Sequence, residues 1–385
     1  MRGPGRLFRS YFIGGFECST HRTASGRRLD LVRATRHDEF ALADYERLRA
    51  VGIRTAREGV RWHLAERRPR QHDFSSVRPV LEAARRTDTE VIWDLCHYGW
   101  PDHLDIWGEE FAPAFGEFAR ALAQWLKGEG APVTFFTPIN EISFFAWAGG
   151  GAGHFFPYAR GRGDELKAQL VKAAIAAIRA VWEVTPAARV VHTEPLINVV
   201  AQPRRAQDRA EAERYRQAQF AALEMLCGRQ RPELGGEERY LDVIGLDYYH
   251  DNQWYFRSGR KIRPGHRDYR PLREMLVEWH QRFQRPLLIA ETGIEDGARP
   301  RWLRFVCREA DAASALGSPI EGVCLYPVIN HPGWTNDRHC HNGLWDYADD
   351  QGRRRIYEPL ARELRHQLET RADAEPGEER EQRAS

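Results

Sequence analysis

The chain of 385 residues has no long hydrophobic run; no stretch approaches the roughly 18 consecutive apolar residues that mark a membrane span. Its first residues, MRGPGRLFRSYFIGG, lack the apolar core of a secretory signal. The six cysteines, at 18, 96, 227, 307, 324 and 340, are scattered and form no C-x-x-C pair. These three absences lead us to expect a cytoplasmic protein with reduced thiols and no membrane partner. There is also no excess of charge of either sign. The 57 basic and 55 acidic residues leave a net +2, which argues against a dedicated nucleic-acid binder with its basic face. Arginine supplies most of the basic side chains, and no sequence repeat of fixed period is found. What is present is an ordinary globular composition, 42% hydrophobic and 29% charged, able to fill a large core. The 12 Trp and 13 Tyr residues are a generous supply. Such rings fill cores and line grooves, and their flat faces also suit the apolar C–H face of a sugar.

Short apolar runs alternate with amphipathic stretches along the chain. Strands are predicted at 11–16, 53–56, 91–95, 133–137, 189–193, 242–246, 286–290 and 322–326. Helices are predicted at 37–50, 77–86, 111–125, 166–181, 209–226, 271–283, 299–315 and 357–368. In the third of these, Phe111, Phe115, Phe118, Leu122 and Trp125 fall on one helical face. Repeated β-then-α units imply a parallel sheet, and eight of them imply a closed (β/α)8 TIM barrel. We expect one such domain over 1–370, followed by a disordered tail at 371–385, RADAEPGEEREQRAS, which has no large apolar side chain.

In such barrels the chemistry sits at the C-terminal ends of the strands. Glu17 and His21 follow the first predicted strand, Arg57 and Trp62 the second, and His97, Tyr98 and Trp100 the third. Asn140 and Glu141 follow the fourth and Glu194 the fifth. Asp247, Tyr248 and Tyr249 follow the sixth, Glu291 the seventh, and Tyr326, Asn330, His331 and Trp334 the eighth. Glu141 alone reads equally as an acidic residue in a helix-starting turn. Paired with Glu291 across a narrow barrel mouth, it reads as one of two carboxylates flanking a glycosidic bond. A retaining hydrolase needs that pair about 5–5.5 Å apart.

The stretches TPINEI (137–142) and IAETG (289–293) resemble the T-x-N-E-P and I-T-E-N-G patterns of clan A glycoside hydrolases, nearest to family 1, the β-glucosidase-like group. CHYGWPDHL (96–104), TAREGVRW (55–62), IGLDYYH (244–250), LYPVINHPGW (325–334) and NGLWDYADD (342–350) are similar to further motifs of that family, in the same order. The resemblance implies that Glu141 is the acid/base, Glu291 the nucleophile and Asn140 the ligand of the sugar 2-hydroxyl. It implies that His97 contacts the glycone, that Arg57 lies beside the nucleophile and that Tyr249 hydrogen-bonds to Glu291. Tyr326 and Trp334 stand in the substrate-binding motif after strand eight. The departures are Ile142 for a proline, Tyr326 for a tryptophan, Gly333 for the family's sugar-binding glutamate and His21-Arg22 near its sugar-binding glutamine. They leave the glycone open: another sugar, or one carrying a charged group read by Arg22 or by a loop arginine.

No cofactor is expected. DRHCHN (337–342) offers adjacent His339, Cys340 and His341, but neighbouring residues seldom converge on one ion, so no metal site is expected there. A metal-dependent barrel hydrolase would need His-x-His after strand one, which ECSTH (17–21) does not supply. Glu17 and Glu194 suit barrel-core hydrogen bonding and substrate contact equally. The basic stretch 257–270 reads as a solvated loop or a cleft wall. The function expected is a retaining β-glycosidase acting on a carbohydrate or glycoside; the alternative is a non-catalytic barrel that binds carbohydrate or a partner.

Overall fold

A computed structural model describes residues 7–374. Eight parallel strands close into a barrel: β1 Phe12–Gly15, β2 Thr55–Gly59, β3 Glu90–Asp94, β4 Phe135–Thr137, β5 Arg189–Pro195, β6 Val243–Asp247, β7 Leu287–Thr292 and β8 Ile320–Leu325. Each pairs with its sequence neighbours, and β8 closes on β1 with Phe12 opposite Val323. The main helices around it include His37–Ala50, Arg78–Thr87, Phe111–Gly128, Gly163–Val184, Leu272–Phe283 and Arg299–Ala315. The (β/α)8 expectation holds, and the helices at 37–50 and 299–315 fall where their periodicity placed them.

Alternation along the strands sorts the core. Ile13, Ile92, Phe135, Val191, Val243, Leu288, Ala290 and Cys324 pack inside the barrel, with Phe8 below them. Their neighbours Ala56, Trp93, Phe136, Val190, Ile244 and Ile289 face outward against the helices. Continuing the same alternation to the strand ends turns Arg57, Asp94, Thr137, Thr193 and Asp247 inward, as a polar layer above the apolar one. All five are buried.

Several boundaries differ from the sequence reading. β2, β5 and β7 run on through Arg57, Glu194 and Glu291, which were expected to follow the strands. Charged residues resemble strand terminators only when their partners are not in view. The helix predicted over 209–226 is broken by a 3₁₀ turn at Ala218–Phe220. There Gln219 turns inward, accepting from the Ile197 amide at 3.0 Å and donating to the Arg216 carbonyl at 2.8 Å. The last helix, Glu358–Ala374, covers the first four residues of the tail expected to be disordered. Arg371 anchors it, 2.7 Å from Asp311 and with its guanidinium 3.8 Å from the Tyr11 ring centre. The rest of that tail, 375–385, lies outside the described residues. Among the described residues no helix is long and apolar enough to cross a membrane. All six cysteines are unpaired and buried.

Candidate active site

Glu291 reaches the barrel mouth because β7 is irregular. Ile289 pairs with Leu246 but Glu291 with Asp247, so β7 carries one residue more than β6 over that step. Such a bulge re-aims side chains. Ala290 faces the interior, and its neighbour Glu291 still reaches the mouth instead of the helices. The Glu291 carboxylate is 5% exposed and held on both oxygens. Arg57 donates to Oε1 at 2.6 Å and Tyr249 to Oε2 at 2.9 Å.

Arg57 is the hub below it. Its Nη2 also donates to Asp94 Oδ2 at 2.7 Å and to Asn140 Oδ1 at 2.5 Å, and its guanidinium lies 5.3 Å from the Tyr326 ring centre. Asp94 in turn accepts from His97 Nδ1 at 3.0 Å. Burial would raise the Asp94 carboxyl, but Arg57 and His97 outweigh it and hold it below its ordinary value. Asn140 is wholly buried. Thr193 donates to its oxygen at 2.7 Å, and its Nδ2 donates to Tyr98 Oη at 2.9 Å and lies 3.3 Å from His97 Nε2.

Glu141 follows at once, half-buried, with φ 45°. A left-handed backbone at a residue with a Cβ costs about 1–2 kcal/mol. Local bonds offset it: the Glu141 amide donates to the Thr193 carbonyl at 3.0 Å, and Tyr98, itself at φ 69°, donates its hydroxyl to Glu141 Oε2. Glu141 is also the residue before the short helix Ile142–Phe145, the position that the helix-start reading gives it. Its side chain makes no capping bond. Burial and then the charge of Glu291 push the Glu141 carboxyl up to about 8.

Two further acids lie close by. Asp247 is wholly buried and neither of its oxygens accepts a hydrogen bond from a described residue. Burial, Glu291 and Glu141 push its carboxyl well above the ordinary value. Glu194 accepts from the Ser143 amide at 3.1 Å and so pins the helix that follows Glu141. Burial raises it to about 7 against the opposing effects of Ser143 and Lys167.

The two candidate catalytic carboxylates line one cavity of about 890 Å³. On the side of β1 and β8 its walls are Glu17, His97, His331, Trp334 and Asn342. On the side of the β4–β6 loops they are Phe144, Trp147, Lys167, Tyr215, Trp254 and Lys261. Two of the chain's four lysines thus face this one cavity. The basic stretch 257–270 answers to both of its readings. Gly259 and Lys261 line the cavity, while Arg257 pairs with Asp208 and Glu211 at the surface.

Of the site residues expected from sequence, Glu141, Glu291, His97, Tyr249 and Trp334 line the cavity. Arg57, Asn140 and Tyr326 lie beneath it, in the polar layer that the first group rests on. The Tyr326 ring stacks against His97 at 5.9 Å. Arg22 does not line the cavity; it pairs with Asp102. Sequence reasoning missed Asp94, Tyr98 as the partner of Glu141, and Lys167. The Asp94-x-x-His97 spacing at a strand end was a usable signal for the first; nothing local marked Lys167. His339, Cys340 and His341 do not form a donor cluster. His339 stacks on Tyr347 at 4.0 Å and pairs with Asp346 at 2.8 Å. Cys18, Asp94 and His97 do bring three donor atoms within 4.8 Å of one another. Asp94 is already committed to Arg57 and His97, however, and a dication there would face the buried guanidinium, so this set does not suit a metal.

No protein-family model and no curated protein sequence matches this chain. Solved structures do. A hyperthermophilic β-glucosidase superposes with a TM-score of 0.75 at 14% identity, over 94% of this chain and 100% of that one. The AHE enzyme from Alicyclobacillus herbarius gives 0.73 at 17% identity over 88% of each chain. The family 1 β-glucosidase from Thermotoga maritima gives 0.71 at 15% identity over 94% of this chain and 98% of that one. The Thermotoga enzyme has also been solved with glucoimidazole and with deoxynojirimycin. At these identities the likeness is one of fold: a β-glucosidase-like barrel.

Proposed function

We propose that the protein is a retaining β-glycosidase. The observation that carries this reading is the unequal treatment of two carboxyls in one cavity. Glu291 is held on both oxygens by Arg57 and Tyr249, while burial and the charge of Glu291 push the Glu141 carboxyl up to about 8. One group is aimed as a nucleophile and the other is charged as an acid. In the first step Glu291 attacks the anomeric carbon while Glu141 gives its proton to the glycosidic oxygen, and the aglycone leaves as an alcohol. In the second, Glu141 takes a proton from water as that water attacks the same carbon, releasing Glu291. Asn140 Nδ2, which donates to Tyr98 Oη and lies 3.3 Å from His97 Nε2, is the donor we assign to the sugar 2-hydroxyl. His97 and Trp334 flank the glycone. Arg57 and Tyr326 act from beneath, as positioning residues.

Hydrolysis of a panel of neutral aryl β-glycosides tests the reading, with labelling of Glu291 by a 2-deoxy-2-fluoro glycoside as the companion readout. Cleavage that disappears in Glu291→Ala supports it. A panel left intact, with no label on Glu291, would leave the barrel as a carbohydrate- or partner-binding protein.

The pH profile has a defined sign. The acid must be protonated in the free enzyme, so kcat/KM falls as pH rises through about 8, where Glu141 loses its proton. The Tyr98 hydroxyl bond favours the ionised form of Glu141 and opposes that upward shift. Tyr98→Phe is therefore expected to move the alkaline limb to higher pH. A limb that stays in place, or moves down, would show that Tyr98 does not set the acid.

A further inference from the structure

The two lobes of the cavity are chemically unlike. Glu141 gives its proton to the leaving group, and the residues just after it, Ser143 and Phe144, line the lobe over the β4–β6 loops. The aglycone therefore lies in that lobe and the glycone in the other. Among the described residues the glycone lobe has no lysine or arginine in its wall; both lysines are on the aglycone side. It does have a carboxylate, Glu17, on the turn after β1. Glu17 is 7% exposed and lines the cavity. Its Oε1 is fixed, accepting from the Ser19 amide at 2.9 Å and from the Ser19 hydroxyl. Its Oε2 accepts from no described residue.

The turn after β8, hydrogen-bonded neighbour of β1, supplies His331 and Trp334 to the same lobe but no acid. Burial would raise the Glu17 carboxyl, but His97, His331 and Ser19 outweigh it and hold it below its ordinary value. A buried carboxylate with one oxygen anchored and the other open to a cavity is an acceptor awaiting donors. One carboxylate oxygen has two lone-pair sites, and charge-assisted bonds are about twice as strong as neutral ones.

We propose that Glu17 is the specificity-determining residue of the glycone lobe: its Oε2 accepts from adjacent hydroxyls of an uncharged sugar, and its charge turns away sugars carrying a phosphate or carboxylate there. The inference rests on the glycosidase reading for which lobe holds the glycone. Paired with Asp102 outside the cavity, Arg22 does not offset that charge.

The test uses neutral 4-nitrophenyl β-glycosides, their single-deoxy analogues and the 6-phosphorylated forms, with wild type, Glu17→Gln and Glu17→Asp. Glu17→Gln keeps the shape and loses the charge; Glu17→Asp keeps the charge and withdraws it by one methylene. Losing a hydrogen bond to a charged group is expected to cost about 10–100-fold in kcat/KM on the neutral glycosides. At least one deoxy analogue is expected to cost wild type tenfold or more, and both variants less than threefold, because the partner of the missing hydroxyl is already gone. The ratio of phosphorylated to neutral turnover is expected to rise in Glu17→Gln. A merely structural residue would depress all substrates alike. Glu17→Gln within threefold of wild type, or deoxy penalties unchanged in both variants, would overturn the assignment. If wild type cleaves nothing, the glycosidase reading fails separately, and calorimetric binding of the same glycosides decides the role of Glu17 by the same comparison.

Discussion

Glu291→Ala is expected to lower kcat/KM on an aryl β-glycoside by about five orders of magnitude, the scale seen when an enzyme loses its covalent nucleophile. The expected size follows from what surrounds the carboxylate. Arg57 at 2.6 Å and Tyr249 at 2.9 Å fix both oxygens, so no neighbouring group is free to take over the attack. Asp247, the acid paired with Glu291 across the strands, is wholly buried beneath the cavity with its carboxyl pushed well above the ordinary value, and is a poor substitute. Removing the side chain leaves a space beside the anomeric carbon. A small anion such as azide, added in excess, is expected to restore turnover of substrates with good leaving groups. It approaches from the face Glu291 has vacated, so the product is the glycosyl azide of inverted configuration. A purified variant that keeps more than a few per cent of wild-type activity would remove Glu291 from the mechanism.

Arg57→Met is expected to be the most damaging single change to the polar layer. Arg57 is 1% exposed and bonds Glu291, Asp94 and Asn140 at once. Methionine approximates the stem but leaves two carboxylates buried without their counter-charge. Breaking a buried pair in this way costs about 3–5 kcal/mol, a large part of the roughly 5–15 kcal/mol that holds a typical domain folded. The midpoint of denaturant unfolding measures it, and activity is expected to fall with it, because Glu291 loses the bond that aims it. Arg57→Lys keeps the charge but cannot span three partners, so it is expected to recover stability more than turnover. An unfolding midpoint within about 0.5 kcal/mol of wild type for Arg57→Met would contradict the network, since that is the scatter of an ordinary surface substitution.

The parts of this architecture that were legible in the sequence are those set by periodicity. The face Phe111–Phe115–Phe118–Leu122–Trp125 announced its helix because it packs one stripe against the barrel. Runs such as 91–95 and 322–326 announced strands because a barrel strand is apolar on both faces. The same rule hid the strand ends. Arg57, Glu194 and Glu291 read as loop residues, yet each continues a strand into partners far away in sequence. Arg57 lies 234 residues from Glu291 and 83 from Asn140. The extra residue in β7 that brings Glu291 to the mouth leaves no mark in the local pattern, because IAET reads as a regular strand either way. The catalytic candidates themselves stood out by their places after the fourth and seventh strands and by the order of the motifs around them. The cavity walls were less legible, since loops supply them. Lys167 sits on the Gly163–Val184 helix as one of its many polar positions, and only the fold turns it toward the cavity. Glu17 was legible as an acid at a strand end, but its open Oε2 is a property of the folded site alone.

The central claim is that Glu291 attacks the anomeric carbon and Glu141 serves first as acid and then as base. The stereochemistry of the first-formed sugar tests this most directly. Hydrolysis of an aryl β-glycoside, followed by proton NMR before mutarotation, is predicted to give the β-hemiacetal first, with the α-anomer growing in later. A double displacement inverts twice and so retains the configuration. Release of the α-anomer first would mean that water attacks directly, and would contradict the assignment of Glu291 as nucleophile.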